Sequence, residues 1–353
     1  MQDVGKWARS FGRFSKKPTE IEKKRDFSPR DEQKKRGMRG MVIRIGTRGS
    51  KLALWQADWV RERMETAFPG VRCEIVKITT TGDKIRDVAL AKVGGKGLFV
   101  KEIEEALIRK EIDLAVHSMK DVPTKLPEPL HIAAMTERED PRDVMISNRW
   151  GAFAELPNGA RVGTSSLRRQ AQLLHVRPDL HMEVLRGNLD TRMKKLDEEG
   201  LDAIIVAASG VIRMGERDRV VEYLDYELSL PAMGQGTLGL ECRRDDEKVN
   251  ETLRFLNDPN VFRAVCAERA FLESLEGGCQ VPIGVYGEIT EGNLRLRGLI
   301  ASLDGKKMVR DEAHGNPDEP EAIGRALARR LLDAGGGAIL KEIYGLSGQS
   351  PFS

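Results

Sequence analysis

From residue 42 onward, short apolar runs alternate with stretches in which apolar side chains recur every three or four positions. Strands separated by helices in this way are accommodated by a substantially parallel sheet with helices packed on it, so the alternation points to α/β units. Strands are expected over 42–45, 71–79 and 113–116, and a second set over 144–147, 161–163, 183–185 and 201–207. Ser50 is placed to cap a helix whose Leu52, Trp55 and Trp59 recur at i, i+3 and i+7, which makes the tryptophans core residues. A further helix is expected over 98–108 with Phe99, Ile103 and Leu107 on one stripe, and others open at Ser165 and Asn188.

One more strand, over 234–241, reads as re-entering the first set, so two crossing segments make a hinge between two α/β lobes. Beyond residue 259 the pattern changes. A long helical stretch over 261–276 is followed by strands over 281–289, 293–302 and 307–313, joined by the turns Glu291-Gly292-Asn293 and Asp304-Gly305, and then by a helix over 317–334. Strands joined by such turns are antiparallel hairpins, so this last part is α+β with a three-stranded sheet. The expected division is a basic extension over 1–40, a first lobe over 41–140 plus 234–257, a second over 141–233, and the C-terminal domain over 258–345.

At 353 residues, with 40% hydrophobic and 32% charged residues, the chain has a globular composition. No apolar run reaches the roughly 18 residues of a membrane-spanning helix. Residues 1–40 hold 13 Lys or Arg against 6 Asp or Glu, a local +7 set against +3 for the whole chain. The basic balance therefore belongs to a stretch without apolar period, which predicts disorder, and says nothing about nucleic-acid binding by the folded body. An aromatic content of 5% also leaves few stacking platforms for single strands. The extension lacks the apolar core of a secretory signal and is richer in acidic residues than transit peptides usually are; a start assigned too far upstream is the other reading. Cys73, Cys242 and Cys266 fall in apolar patterns as buried thiols, and with no C-x-x-C and no histidine at ligand spacing no metal site is expected. A reducing, cytoplasmic setting fits.

Cys279 is different. It lies in Glu276-Gly277-Gly278-Cys279-Gln280-Val281-Pro282-Ile283-Gly284, where two glycines free the backbone and Pro282 then fixes it, so the thiol sits on a tight loop. Taken alone this is a spare thiol in a turn. Elsewhere polar residues follow strands: His117-Ser118-Met119-Lys120-Asp121 stands at a strand's carboxyl end, where open α/β sheets collect ligands. Thr164, Ser165 and Ser166 offer hydroxyls and backbone N–H groups at a helix N-terminus, with Arg168 and Arg169 a turn on, an arrangement suited to anions. The same residues also read as a helix cap followed by a solvated basic turn. The stretch 80–97, with four glycines, reads as a mobile loop able to act as a lid.

Five blocks, Gly46-Thr47-Arg48-Gly49-Ser50, Gly94-Gly95-Lys96-Gly97-Leu98-Phe99, Val116 through Pro123, Gly163 through Gln170 and Arg186-Gly187-Asn188, together with the Cys279 loop, resemble the porphobilinogen deaminase family, also called hydroxymethylbilane synthases, in family order. The resemblance runs from about residue 42 to about residue 340, and the N-terminal extension is the one departure from it. It implies two lobes like those of periplasmic binding proteins with the active site between them. It implies a dipyrromethane cofactor, built from two substrate units and held by Cys279 through a thioether, on which four porphobilinogen molecules are joined head to tail with loss of ammonia to give hydroxymethylbilane. Each unit brings two carboxylates, and guanidinium forks bind carboxylates in bidentate fashion. Carried over by position, the resemblance implies Asp121 as the catalytic carboxylate that stabilises the methylenepyrrolenine cation and moves protons. It also implies Lys120, Ser118, Ser166, Arg168, Arg169 and Asp121 at the cofactor, and Arg48, Ser50, Lys96, Phe99, His117, Thr164, Ser165, Arg186, Arg192 and Arg213 at the substrate. A monomer that passes its product to a uroporphyrinogen-forming enzyme is the expectation. Two rivals stand beside it: a two-lobed anion-binding protein without catalysis, and a Schiff-base lyase using Lys120.

Overall fold

The computed structural model describes residues 40–84, 99–275 and 281–347. Residues 1–39 of the expected extension, residues 85–97 of the expected lid, with Lys96 among them, and residues 276–280 of the Cys279 loop lie outside the described residues.

The chain begins with β1 (Met41–Thr47), α1 (Lys51–Ala67) and β2 (Val71–Lys77), then α2 (Lys101–Ile108), β3 (Leu114–Ser118) and β4 (Leu130–Met135). After a crossing come β5 (Asp143–Ile146), β6 (Arg161–Gly163), α3 (Leu167–Val176), β7 (His181–Glu183), α4 (Leu189–Glu198), β8 (Ala203–Ala207), α5 (Ala208–Arg213) and β9 (Val220–Tyr223). A second crossing leads to β10 (Leu238–Arg243), α6 (Glu247–Leu253) and α7 (Pro259–Ser274). The chain closes with β11 (Ile283–Thr290), β12 (Asn293–Ala301), β13 (Met308–Gly315), α8 (Pro320–Leu331) and α9 (Gly337–Ser347). No helix among the described residues is long and apolar enough to cross a membrane.

The first sheet has the order β2-β1-β3-β10-β4 and the second β7-β6-β8-β5-β9. In the first, β1 runs parallel to β2 and β3 while β10 is antiparallel to both β3 and β4. In the second, β6 runs parallel to β7 and β8 while β5 is antiparallel to β8 and β9. Each crossing thus ends in a reversed strand that fills the fourth place of the sheet it enters. The two crossing segments touch: Glu139 N donates to Gly236 O at 3.1 Å, and Gln235 Nε2 to Pro141 O at 2.6 Å.

β11, β12 and β13 form an antiparallel sheet of their own, with α7 and α8 against it and Phe271, Leu296, Ile300 and Leu327 buried between. Glu268 on α7, fully buried, accepts from Gly234 N at 2.6 Å, Gly287 N at 2.8 Å and Arg138 Nη2 at 2.9 Å. The C-terminal unit is therefore fastened to both crossing segments through one carboxylate.

The structure differs from the sequence expectations in places that have local causes. On α1 the buried face is Gln56, Ala57, Val60 and Met64, while Trp55 and Trp59 are only half-buried, and the Arg63 guanidinium covers Trp59 with its carbon 5.1 Å from the ring centroid. β7 ends at Glu183, two residues before the expected strand does, because its partner turns away: Thr164 N takes the Glu183 carbonyl at 2.9 Å and the chain enters α3. That helix starts one residue later than expected, with Ser166 as its cap. Phe99 precedes α2 and lies outside its buried stripe of Ile103, Ala106 and Leu107. The start of the expected lid is ordered into a helical turn, Thr81–Lys84, behind a buried Thr80.

β3 runs directly into a single 3₁₀ turn, Met119–Asp121. Met119 is fully buried, and its N donates to Thr237 O at 3.0 Å. Gly234 and Gly239 make room for it: a Cβ at Gly234, where φ is +65°, would lie 2.6 Å from the Met119 Cβ, and one at Gly239 would strike its sulfur. Gly234→Ala combines a left-handed backbone with that collision and is expected to cost about 2 kcal/mol or more, read as a lower midpoint in urea unfolding. A midpoint equal to the parent's would show that Met119 yields freely.

Candidate active site

Arg48, Ser50, Gln56, Phe99, His117, Ser118 and Asp121 line one cavity at the carboxyl ends of β1 and β3. Ser50 caps α1, its Oγ accepting from Ala53 N at 3.3 Å, and so keeps a hydroxyl proton to donate. Gln56 Nε2 donates to Ser118 Oγ at 3.0 Å. The Arg48 guanidinium carbon lies 4.2 Å from the centroid of Phe99, and its Nε donates to Asp83 at 3.1 Å. Burial raises the Asp83 carboxyl, but hydrogen bonds from Arg48 and Thr80 outweigh it and leave the group below its ordinary value.

Lys120 and Asp121 project from the 3₁₀ turn. Burial pushes the Lys120 ammonium down to about 8, with Asp121 and Asp143 opposing and Arg169 and Arg168 adding to the shift. Burial likewise lowers Arg192 to about 10, and the charges acting on it are those of Arg169, Asp121 and Arg186. The charge of Arg192 on the second lobe is thus coupled to the Asp121 carboxylate of the first, and those of Arg168 and Arg169 to Lys120 beside it. Asp121 is exposed, and neither it nor Lys120 or Arg186 makes an ion pair or side-chain hydrogen bond with another described residue. Arg192 Nε donates to Gly187 O at 2.9 Å. Arg213 is lowered to about 10 by burial and donates to Gly236 O at 2.6 Å, within the second crossing.

Arg168 and Arg169 do not form a solvated basic turn; each is about 5% exposed. Between them stands Asp143, fully buried, which takes Arg168 Nη1 at 2.8 Å, Arg169 Nη2 at 2.7 Å, Ser229 Oγ at 2.7 Å and Gln235 Nε2 at 2.9 Å. Burial opposes the charge on Asp143, and the two guanidiniums overcome it and hold the carboxyl far below the usual range. Arg168 Nη1 also reaches Leu230 O and Arg169 Nη1 reaches Ile205 O, while the Nε–H of each arginine is buried without a partner. Ahead of them Thr164 is buried, the Ser165 hydroxyl donates to Leu185 O, and Ser166 caps α3 by accepting from Arg169 N at 3.4 Å.

Unpartnered N–H donors, an ammonium without an acceptor and a free carboxylate fit a ligand that carries several carboxylates and ring N–H groups. No described group of three His, Cys, Asp or Glu side chains is placed to hold a metal ion. Cys73 and Cys242 are pushed up to about 12 and Cys266 to about 11, in each case first by burial, so none of the three readily yields a thiolate. Asp83, Gln56 and Asp143 bear directly on candidate residues yet carry no motif of their own. Asp143 offered one signal, an acidic residue leading straight into the apolar run of β5.

A family model described as "Porphobilinogen deaminase, dipyromethane cofactor binding domain" matches residues 43–251, and "Porphobilinogen deaminase, C-terminal domain" matches residues 262–333. A porphobilinogen deaminase of Pelobacter propionicus is 60% identical over 302 residues, which cover 86% of this chain and 97% of the relative. One of Geobacter metallireducens is 59% identical over the same length, 95% of that relative. Among solved structures, the methionine-binding protein MetQ is 14% identical over 65% of this chain and 94% of its own, with a TM-score of 0.41.

The Asp143 cluster makes a thermodynamic prediction. Asp143→Asn leaves two buried guanidiniums without a counter-charge and is expected to lose about 3–5 kcal/mol in chemical unfolding. A loss below about 1 kcal/mol would mean that the arginines find other partners or turn to solvent.

Proposed function

Since the chain belongs to the porphobilinogen deaminase family, we propose that Asp121, Lys120 and the arginines around them are where its four porphobilinogen molecules are joined, with Cys279 carrying the dipyrromethane primer. The observation that carries this placement is the free Asp121 carboxylate coupled to Lys120 of one lobe and Arg192 of the other. Bound dipyrromethane supplies the carbon nucleophile from which the chain grows. Lys120 and the unpaired Nε–H groups of Arg168 and Arg169 take its carboxylates, and Ser118 and Ser166 add hydroxyls. An anion beside Lys120 offsets the burial that depresses its ammonium.

Arg48, Lys96, Arg186, Arg192 and Arg213 take the acetate and propionate groups of the substrate, with Ser50, Thr164, Ser165 and His117 as further polar contacts and Phe99 as an apolar wall. Asp121 accepts from the pyrrole N–H of the incoming substrate. When ammonia departs with the bonding electron pair, its carboxylate faces the cation left behind. After the new carbon–carbon bond has formed, it takes the proton released from the ring carbon. Membership of an enzyme family disfavours the non-catalytic anion binder. We further assign residues 41–140 with 234–257 and residues 141–233 to two lobes that close on this site, and 258–345 to the domain that presents the primer. A cytoplasmic monomer that passes its product to a uroporphyrinogen-forming enzyme completes the reading.

Two experiments test the assignments. Intact mass is expected to show an adduct of two linked pyrrole units that Cys279→Ser abolishes; an adduct mapped to Cys73, Cys242 or Cys266 would overturn the attachment site. Asp121→Asn keeps the shape of the side chain but not its charge, and is expected to lower turnover by about 10² or more in protein that still carries the adduct. A folded, adduct-bearing Asp121→Asn enzyme with parental turnover would move the catalytic carboxylate elsewhere.

A further inference from the structure

Glu241 is a carboxylate in the middle of an apolar strand, fully buried on β10 between Leu240 and Cys242, and no step of the reaction above uses it. Its Oε2 accepts from Nε2 of His117 at 2.8 Å, across the β3–β10 pair. Its Oε1 is buried without a partner, and so is Oε1 of Glu104 on α2, the helix that Arg243 of β10 holds by donating from Nη1 to Leu107 O at 2.8 Å. Glu104 is pushed up to about 7, first by burial and then by the charge of Glu241, with His117 opposing. Two carboxylates accept only, so neither unpartnered oxygen can satisfy the other unless one carries a proton. One shared proton resolves both.

Among the described residues, most charged groups near that point are committed to other partners. On α2 itself, Glu102 is bound to Thr81, and Glu105 pairs with Arg109. From β1, Arg44 is committed to Asp113. His131 on β4, bound to Asn250, and the Arg269 guanidinium on α7, whose Nη1 is buried without a partner, act on Glu241 through space.

We propose that Glu104 is held protonated, donates to Glu241, and through it fixes the His117 imidazole with a proton on Nε2 in one orientation on the cavity wall. Glu104 and Glu241 are then positioning residues for His117, and the inference rests on His117 facing the substrate as assigned above. Loss of the Glu104 proton places a second negative charge behind that wall, where a substrate rich in carboxylates must dock. Weaker substrate binding, rather than slower chemistry, is the consequence.

The sign of the linkage follows from the direction of the shift. A carboxyl with a folded pKa above its unfolded one contributes stability that is fully present below the unfolded value and is lost as pH rises through the folded value. Relative to Glu104→Gln, which keeps the neutral shape permanently, the parent is expected to lose Tm between about pH 4.5 and about pH 7. In the parent, KM for porphobilinogen is expected to rise up to about tenfold between about pH 7 and about pH 8 with kcat little changed, and this rise is expected to vanish in Glu104→Gln. Glu241→Gln removes the charge that adds to burial in raising Glu104 and should move the rise to lower pH. Parallel Tm curves for parent and Glu104→Gln would overturn the shared proton, and a KM rise that persists in Glu104→Gln would overturn the positioning role. His117→Asn with parental KM would instead sink the placement of His117 at the substrate while leaving the Tm difference intact.

Discussion

Two guanidiniums side by side in a protein interior repel each other and lose their hydration, and only a carboxylate between them makes the arrangement tolerable. Asp143 is that carboxylate, and it draws Arg168 and Arg169 of α3 onto the first residue of β5. Its remaining acceptor capacity goes to Ser229 and Gln235, which approach along the returning segment. One buried charge thus joins a helix of the second lobe to the ends of both crossings. Its field reaches Lys120 on the opposite lobe as well. The candidate site is assembled where the chain passes between lobes, and the arginines are oriented by the protein before any ligand arrives.

Glu268 repeats the device with a different mix of partners. Two backbone N–H groups and the Arg138 guanidinium share it, one N–H from the second crossing and one from β11. The C-terminal unit therefore meets the rest of the molecule at the hinge, and the apolar seam beside this contact includes Met119 and Val122, which flank Lys120 and Asp121. The end of α7, at Phe271 and Leu275, and the 3₁₀ turn after β3 are held to a common frame through packing.

The architecture was legible because it is written in local periods. Alternating strands and helices, the Ser50 cap, the glycine turns of the last sheet and the return of the chain at β10 all follow from short stretches read one at a time. Side-chain destinations were less so. Asp143 and Arg168 are 25 residues apart, and His117 and Glu241 are 124 apart, so nothing in a local window connects them. The arginines of α3 read as equally suited to solvent because a helix period cannot say what waits opposite a polar face. A period of three and four also placed Trp55 and Trp59 in the core, whereas smaller Ala57 and Val60 turn inward and the rings lie on the flank with Arg63 over one of them. Glu241 within an apolar run was, like Asp143 ahead of β5, a visible sign of a buried polar group, and its partner could be found only in three dimensions.

The reversed strands carry a consequence for biosynthesis. Among the described residues β4 pairs only with β10, so as the polypeptide leaves the ribosome residues 130–135 lack this neighbour in their sheet until residue 243 has been made. The whole of β5 to β9 is synthesised in that interval and can complete its own sheet first. Translation order and folding order are therefore opposed: the lobe begun first is finished second, and its open strand edge must survive the wait. Only after that closure does Met119 find its place beside Gly239, so the turn bearing Lys120 and Asp121 is among the last parts of the two lobes to be set.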